Sequence, residues 1–260
     1  MRHAAFAVAL GACLPLSAAA EPLFFSSVTS NDIDYILTDD PDALACLVDR
    51  GDGRREMPDK RGGPLMAEGV HLFDARYLDG AMVPIWAHPR LGDRDAALAT
   101  VTPLAHAIGK LPGFMRAKLD HVVLLDGDES AFAEDRGRFF VVYAENLARR
   151  IASHDLEETV FHESVHATLD QPHAASEAWR AAQQADGGFL TGYGAENPDG
   201  EDLAETLLIA YAALRHPERL PAALTERLRR QVPHRLAFIE NLLTRLDRPA
   251  AMRDRAAVCG

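Results

Sequence analysis

The sequence predicts an α+β fold, with a small mixed sheet in the N-terminal half lying over a helical C-terminal half. Short strand-like apolar runs separated by turn signals are confined to residues 21–143, whereas residues 144–260 carry helical spacing of apolar side chains. With 48% apolar and 25% charged residues, the chain has the composition of an ordinary globular domain. We therefore expect a single domain over residues 21–260.

The first twenty residues have the three parts of a secretory signal peptide: a positive charge, a short apolar run and the small residues Ser17-Ala18-Ala19-Ala20. We expect cleavage after Ala20 and export to the periplasm or the extracellular space. The run is too short to cross a bilayer, so no transmembrane span is expected. An alternative is lipid anchoring at Cys13, because Leu10-Gly11-Ala12-Cys13 resembles the lipobox of bacterial lipoproteins.

Net charge and cysteine content exclude some functions and indicate a disulfide. A formal net charge of -12 argues against a dedicated nucleic-acid or anionic-membrane binder, since both need a basic surface. Once the signal peptide is removed, only Cys46 and Cys259 remain. An even pair in an exported protein is a disulfide candidate, with two unpaired thiols as the alternative.

In the N-terminal half, residues 21–65 are predicted to be rich in loops. A helix start is expected at Asp39-Asp40-Pro41, and the charged stretch 49–61 is expected to lie outside regular structure. The predicted strands are Val70–Tyr77 and Met82–Ala87, joined by the turn residues Leu78-Asp79-Gly80, followed by His121–Leu125 and Arg138–Tyr143. A helix is expected over Asp93–Leu111, where apolar residues recur with helical spacing.

The C-terminal half is predicted to be helical throughout. The expected helices are Ala144–Ser153, Leu156–Leu169, Ala174–Ala185, Glu201–Leu214 and Leu220–Leu246, the last with breaks at Pro221 and Pro233.

The second of these helices contains a metal-binding motif. His162-Glu163-Ser164-Val165-His166 is H-E-x-x-H, and residues four apart share one helix face, so both imidazoles can reach a single ion. Glu163 is then placed to contact a metal-bound water, and the surrounding residues are largely uncharged, as in a buried helix. The alternative is a pair of core histidines that are satisfied by hydrogen bonds.

A catalytic zinc needs a third protein ligand. The pattern with a histidine shortly after the motif fails, because Pro172 occupies the required position and His173 comes one place late. Glu201 and Glu205 lie one turn apart at the start of a later helix, and we assign Glu201 as the ligand and Glu205 as the acceptor that orients a ligating histidine.

Some alternatives around this glutamate pair stay open. The two roles could be exchanged, or the pair could be an exposed acidic helix start. Asp199 is expected to cap the same helix, with Asp202 three residues further on. Asp170, directly after the metal-binding helix, could brace His166 or simply be a helix-end acid.

These residues resemble the gluzincin type of zinc peptidase, in which H-E-x-x-H is paired with a distal E-x-x-x-D or E-x-x-x-E. His162, Glu163, His166, Glu201 and Glu205 match that pattern position by position. The segment from Tyr193 to Glu205 is most similar to the catalytic domains of the anthrax-lethal-factor-like group, with one residue more between tyrosine and ligand. The resemblance covers about residues 156–210 and implies that Tyr193 stabilises the oxyanion.

The resemblance implies a zincin-like fold and a Zn²⁺ cofactor. It implies hydrolysis of a peptide or protein substrate, with Glu163 as general base. In zincins an edge strand can pair with an extended peptide, and Arg138–Tyr143 could be that strand or an ordinary core strand. Two other functions stay open: a non-catalytic binding or structural protein that keeps the zinc fold, and a zinc hydrolase that acts on a non-protein amide.

Overall fold

Six strands form one mixed sheet in the computed structural model, which describes residues 21–134, 136–248 and 250–260. The predicted signal peptide and the lipid-anchoring alternative at Cys13 lie outside these residues. The strands are β1 (Leu44–Glu56), β2 (Met66–Tyr77), β3 (Met82–Ala87), β4 (His121–Leu125), β5 (Phe132–Glu134) and β6 (Phe139–Tyr143). Their order across the sheet is β1-β2-β3-β4-β6-β5, and only the β3–β4 and β4–β6 pairs are parallel.

The described residues contain ten α-helices, mostly in the C-terminal half. They are α1 (Arg94–Gly109), α2 (Gly113–Arg116), α3 (Ala144–Ala152), α4 (Leu156–His173), α5 (Glu177–Asp186), α6 (Gly192–Glu196), α7 (Asp202–Arg215), α8 (Ala222–Gln231), α9 (Pro233–Leu246) and α10 (Arg255–Cys259). The predicted α+β class is therefore confirmed. The predicted breaks are confirmed too, since Pro221 precedes α8 and Pro233 opens α9.

The long first hairpin differs from the prediction. No helix begins at Asp39-Asp40-Pro41; instead β1 begins at Leu44 and runs through most of the charged stretch predicted as loop. Its outer half is largely exposed and is paired with β2 through backbone hydrogen bonds. The buried side chains of this part of the hairpin, Val70, Leu72 and Phe73, belong to β2. The facing half of β1 carries mainly charged residues and glycines, so its sequence shows no apolar alternation that would predict a strand.

Helix α4 is packed between the sheet and α7 and is almost wholly buried. Its apolar side chains, Val160, Phe161, Val165 and Leu169, are all fully buried in the main core. The helix continues past its predicted end at Leu169 to His173, with Pro172 in its last turn. This burial holds the metal-binding motif on a rigid element.

The start of α7 is anchored by a buried arginine. Arg235 on α9 is fully buried and pairs with Asp186 at 3.0 Å and with Asp202 at 2.6 Å. Asp202 also accepts hydrogen bonds from Gln183 and from Thr206. Because Glu201 directly precedes Asp202, this network fixes the position of Glu201 at the start of α7.

The predicted disulfide between Cys46 and Cys259 is present and fastens α10 to β1. Its two cysteines are separated by 213 residues, so the bond joins two segments that are far apart in the sequence. A structural disulfide is consistent with an exported protein. Across the described part of the chain, no helix combines the length and apolar character that a membrane crossing requires.

Candidate metal centre

Three side chains converge at one point beside α4. Atoms Nε2 of His162 and Nε2 of His166 are 3.0 Å apart. Atom Oε2 of Glu201 lies 3.3 Å from the first and 3.2 Å from the second. The spacing of the histidines on one helix face therefore does bring their rings together. The carboxylate of Glu201, which directly precedes α7, lies beside them. These three residues could hold a metal ion.

The arrangement of atoms fits a bound cation. If each imidazole carries its proton on Nδ1, the Nε2 lone pairs and the carboxylate oxygen face one another within hydrogen-bonding distance, which is repulsive without a positive charge between them. Two imidazole nitrogens and one carboxylate oxygen are a donor set that suits zinc and other transition metals.

Asp170 and Glu205 lie behind the two histidines. Oδ2 of Asp170 is 2.7 Å from Nδ1 of His166, so it is placed to accept a hydrogen bond from that ring. Oε1 of the buried Glu205 is 3.8 Å from Nδ1 of His162, on the side of the ring opposite to Nε2. Of the two glutamates, Glu201 therefore lies beside the Nε2 atoms of both histidines, and Glu205 lies on the Nδ1 side of His162.

Glu205 is held by a segment that the sequence analysis missed. The backbone N–H of Ser27 donates to Oε2 of Glu205 at 2.6 Å, and the hydroxyl of Ser26 donates to Oε1 at 3.2 Å. The same segment pairs with the chain just before Tyr193, whose N–H donates to the carbonyl of Phe25 at 2.7 Å. Ser27 and Glu205 are 178 residues apart, and no local pattern signals such a contact.

Glu163 points into the same cleft as the three metal-facing residues and is only 8% exposed. Burial raises the pKa of its carboxyl group, and the neighbouring His162 and His166 oppose that rise. A carboxylate with a raised pKa beside a metal centre is suited to accept a proton from water.

Tyr193 also reaches the centre. Its hydroxyl donates to Oε1 of Glu201 at 3.3 Å, and burial raises its pKa to about 12, so the phenol stays protonated at neutral pH. Burial tends to raise the pKa of Glu201, but hydrogen bonds to His162 and His166 outweigh it and hold that pKa well below its ordinary value. Burial lowers the pKa of His166, whereas Asp170 and Glu201 more than reverse that effect.

The start of α7 does not have the predicted cap. Asp199 pairs with Arg180 on α5 at 2.7 Å, and the helix, which begins at Asp202, has no side-chain cap. The ion pair with Arg235 and the hydrogen bond from Gln183 hold Asp202, and thus the start of α7, in place of the predicted cap. A capping pattern is local, and here a buried tertiary ion pair prevails over it.

The centre lies in a cleft of about 660 Å³. Its walls are α4, the segment Phe25–Thr29, strand β5 with the residues before it, and the side chains Asn146 and Arg150 of α3. The predicted peptide-pairing strand Arg138–Tyr143 corresponds to β6, which lies between β4 and β5 and is therefore an inner strand. The edge strand that lines the cleft is β5.

Searches of protein-family models, curated proteins and solved structures find no match to this chain.

Proposed function

We propose that this chain is an exported zinc-dependent peptidase of the gluzincin type. The observation that carries the proposal is the convergence of Nε2 of His162, Nε2 of His166 and Oε2 of Glu201, all within 3.3 Å of one another, in an open cleft. Three protein ligands leave one position free, as in catalytic zinc sites; structural zinc sites usually have four protein ligands. The disulfide supports export.

His162, His166 and Glu201 would hold the zinc ion, which would supply Lewis acidity and make the attacking water more acidic. Glu163 accepts the proton of the attacking water and passes it to the leaving amine of the cleaved peptide bond. Its burial beside the two histidines supports that role, because its raised pKa brings proton transfer closer to neutral pH.

Tyr193 and β5 position the substrate. The protonated hydroxyl of Tyr193, 3.3 Å from Oε1 of Glu201, is close enough to donate to the oxyanion that develops on the scissile carbonyl. Strand β5 pairs with β6 on one side and lines the cleft, so an extended peptide can add to its other side.

The test compares wild type with Glu163→Gln on a library of quenched fluorescent peptides. We expect turnover by wild type, equal zinc content in both proteins, and a loss of kcat of at least about 100-fold in the variant. Glu177→Gln, the same change on the exposed first turn of α5, is the matched control and keeps wild-type activity.

Two other results of this test would contradict the proposed mechanism or favour a different function. Equal turnover by Glu163→Gln and wild type contradicts the mechanism. Zinc binding with no turnover of any peptide favours a binding or structural protein, unless a panel of non-protein amides, including cell-wall crosslinks, is hydrolysed.

A further inference from the structure

The cleft carries charges of opposite sign at its two ends. Lys60 and Arg150 line the end near the beginning of α4, and Glu134 and Asp170 line the other. Helix α4 rises about 1.5 Å per residue, so Thr159, which lines the cationic end, and Asp170 are separated by roughly 16 Å along the helix axis.

Lys60 is held at its end of the cleft by two contacts. Its Nζ donates to the hydroxyl of Ser130, just before β5, at 2.6 Å, and its backbone N–H donates to the hydroxyl of Tyr143 at 3.2 Å. Tyr143 immediately precedes α3, so Lys60 lies where that helix begins. Among the described residues, no carboxylate is within ion-pair distance of Lys60, so its charge is available to a ligand.

Arg150 on α3 lies beside the beginning of α4, because it pairs with Asp155, the residue just before that helix. It lies one helical turn beyond Asn146, and both side chains line the cleft. Its ion pair with Asp155 has a separation of 3.5 Å, and its Nε is buried without a hydrogen-bond partner among the residues that the structure describes. The Arg150 side chain as a whole keeps 23% of its surface exposed, so it can contact a ligand in the cleft.

The anionic end is on the far side of the metal centre. Glu134 on β5 pairs with Phe139, at the opposite end of β6 from Tyr143, which places it about 13 Å along the strand from the Lys60 contact. Asp170 hydrogen-bonds His166 and so belongs to the metal centre itself. A carboxylate entering the cleft is therefore repelled at one end and attracted at the other.

We propose that Lys60 and Arg150 bind a carboxylate of the substrate, so that the cleft selects peptides with either an acidic side chain or a free C-terminus at that end. The proposal rests on the proposed peptidase function and names the substrate class of the same site. Ser130 and Asn146 beside the two cations supply further polar contacts for the carboxylate oxygens.

The experiment uses zinc-loaded protein and matched peptides. One series scans a Glu/Gln exchange along an internal sequence with both termini blocked, and a second compares a free with an amidated C-terminus. We expect about tenfold higher kcat/KM for the charged member at one position of one series, and the series that responds identifies the source of the carboxylate.

Variants of the cationic end complete the test. Lys60→Met and Arg150→Met each reduce the preference for the charged peptide, Lys60→Arg retains it, and Lys60→Glu transfers it to a peptide with Lys at the same position. Arg229→Met, which removes one exposed arginine on α8, leaves the preference at the wild-type value. Peptide turnover without a charged-member preference, or a preference that persists in Lys60→Glu, overturns the proposal.

Binding separates this proposal from the peptidase function. Titration calorimetry on zinc-loaded Glu163→Gln measures the same peptide pairs without turnover. If the charged member binds about tenfold more tightly while wild type cleaves no peptide, the peptidase function fails and the carboxylate site stands. If wild type cleaves peptides and the variant binds both members equally, the carboxylate site fails and the peptidase function stands.

Discussion

Asp170 lies one helical turn beyond His166, and its Oδ2 is 2.7 Å from Nδ1 of that histidine. A carboxylate in this position favours the tautomer whose proton is on Nδ1, which leaves the Nε2 lone pair directed at His162 and Glu201. Asp170 thus has two effects on His166. It fixes the orientation of the imidazole ring, and it makes Nε2 a better metal ligand.

Replacing Asp170 with Asn should therefore weaken zinc binding without abolishing it. Partners of ligating histidines typically contribute 10–100-fold to metal affinity, and we expect a loss within that range. Competition with a chromophoric chelator measures it. Asp199→Asn, the same change at an exposed acid, should have wild-type affinity, and equal affinity in Asp170→Asn would contradict the bracing role.

Tyr193→Phe should reduce kcat far more than it changes KM. The hydroxyl is 3.3 Å from Glu201 and stays protonated at neutral pH, so under the proposed function we expect it to contribute a hydrogen bond to the transition state. We expect kcat to fall by about 100-fold, with zinc content unchanged. A parallel loss of zinc would instead mean that the hydroxyl acts mainly by holding Glu201.

The stability of the protein should depend on pH through Glu158. Its buried Oε1 accepts hydrogen bonds from the backbone of Tyr35 at 2.5 Å and of Ile36 at 3.3 Å. Burial raises its pKa from 4.5 to about 8, so between these values the native state keeps a proton that the unfolded chain has released. The free energy of unfolding therefore falls as pH rises, by at most about 1.4 kcal/mol per pH unit.

Glu158→Gln isolates this effect, because glutamine cannot titrate. Urea unfolding at about pH 5 and about pH 8 should show a smaller decrease in stability in the variant than in wild type. An identical decrease in both proteins would mean that the native carboxyl group keeps its ordinary pKa.

Replacing both Cys46 and Cys259 with serine should destabilise the fold by about 2–5 kcal/mol. The bond spans 213 residues, so without it the unfolded chain is no longer closed into a long loop and gains conformational entropy. In the folded state, α10 loses its covalent attachment to β1. Urea unfolding of the two proteins measures the difference. Thiol titration of denatured, unreduced mature protein should find no reactive group, and two reactive thiols would show that the bond is absent.

The metal-facing residues were predictable because each depends on local spacing. His162 and His166 need only the periodicity of one helix, and Glu201 belongs to an acidic pair one turn apart. The contact of Ser27 with Glu205 could not be predicted in this way, because 178 residues separate them and serine residues occur throughout most loops.

Some strands of the sheet were predicted correctly and others were missed, for a similar reason. Strands β3 and β4 have the predicted bounds, since their apolar runs are compact and bounded by turn residues. The edge position of β5 was missed because three residues are too short to show alternation, and β6 was taken as the candidate edge. Lys60 and Arg150 were missed as cleft residues because the tertiary fold alone brings them together.

The proposed zinc centre of His162, His166 and Glu201 is tested most directly by elemental analysis of mature protein purified without a metal-affinity resin. Wild type should contain about one zinc per chain, His166→Ala and Glu201→Ala should lose it, and Glu205→Ala should retain more than either. A wild-type protein that holds no zinc and takes up none when it is added would contradict the account.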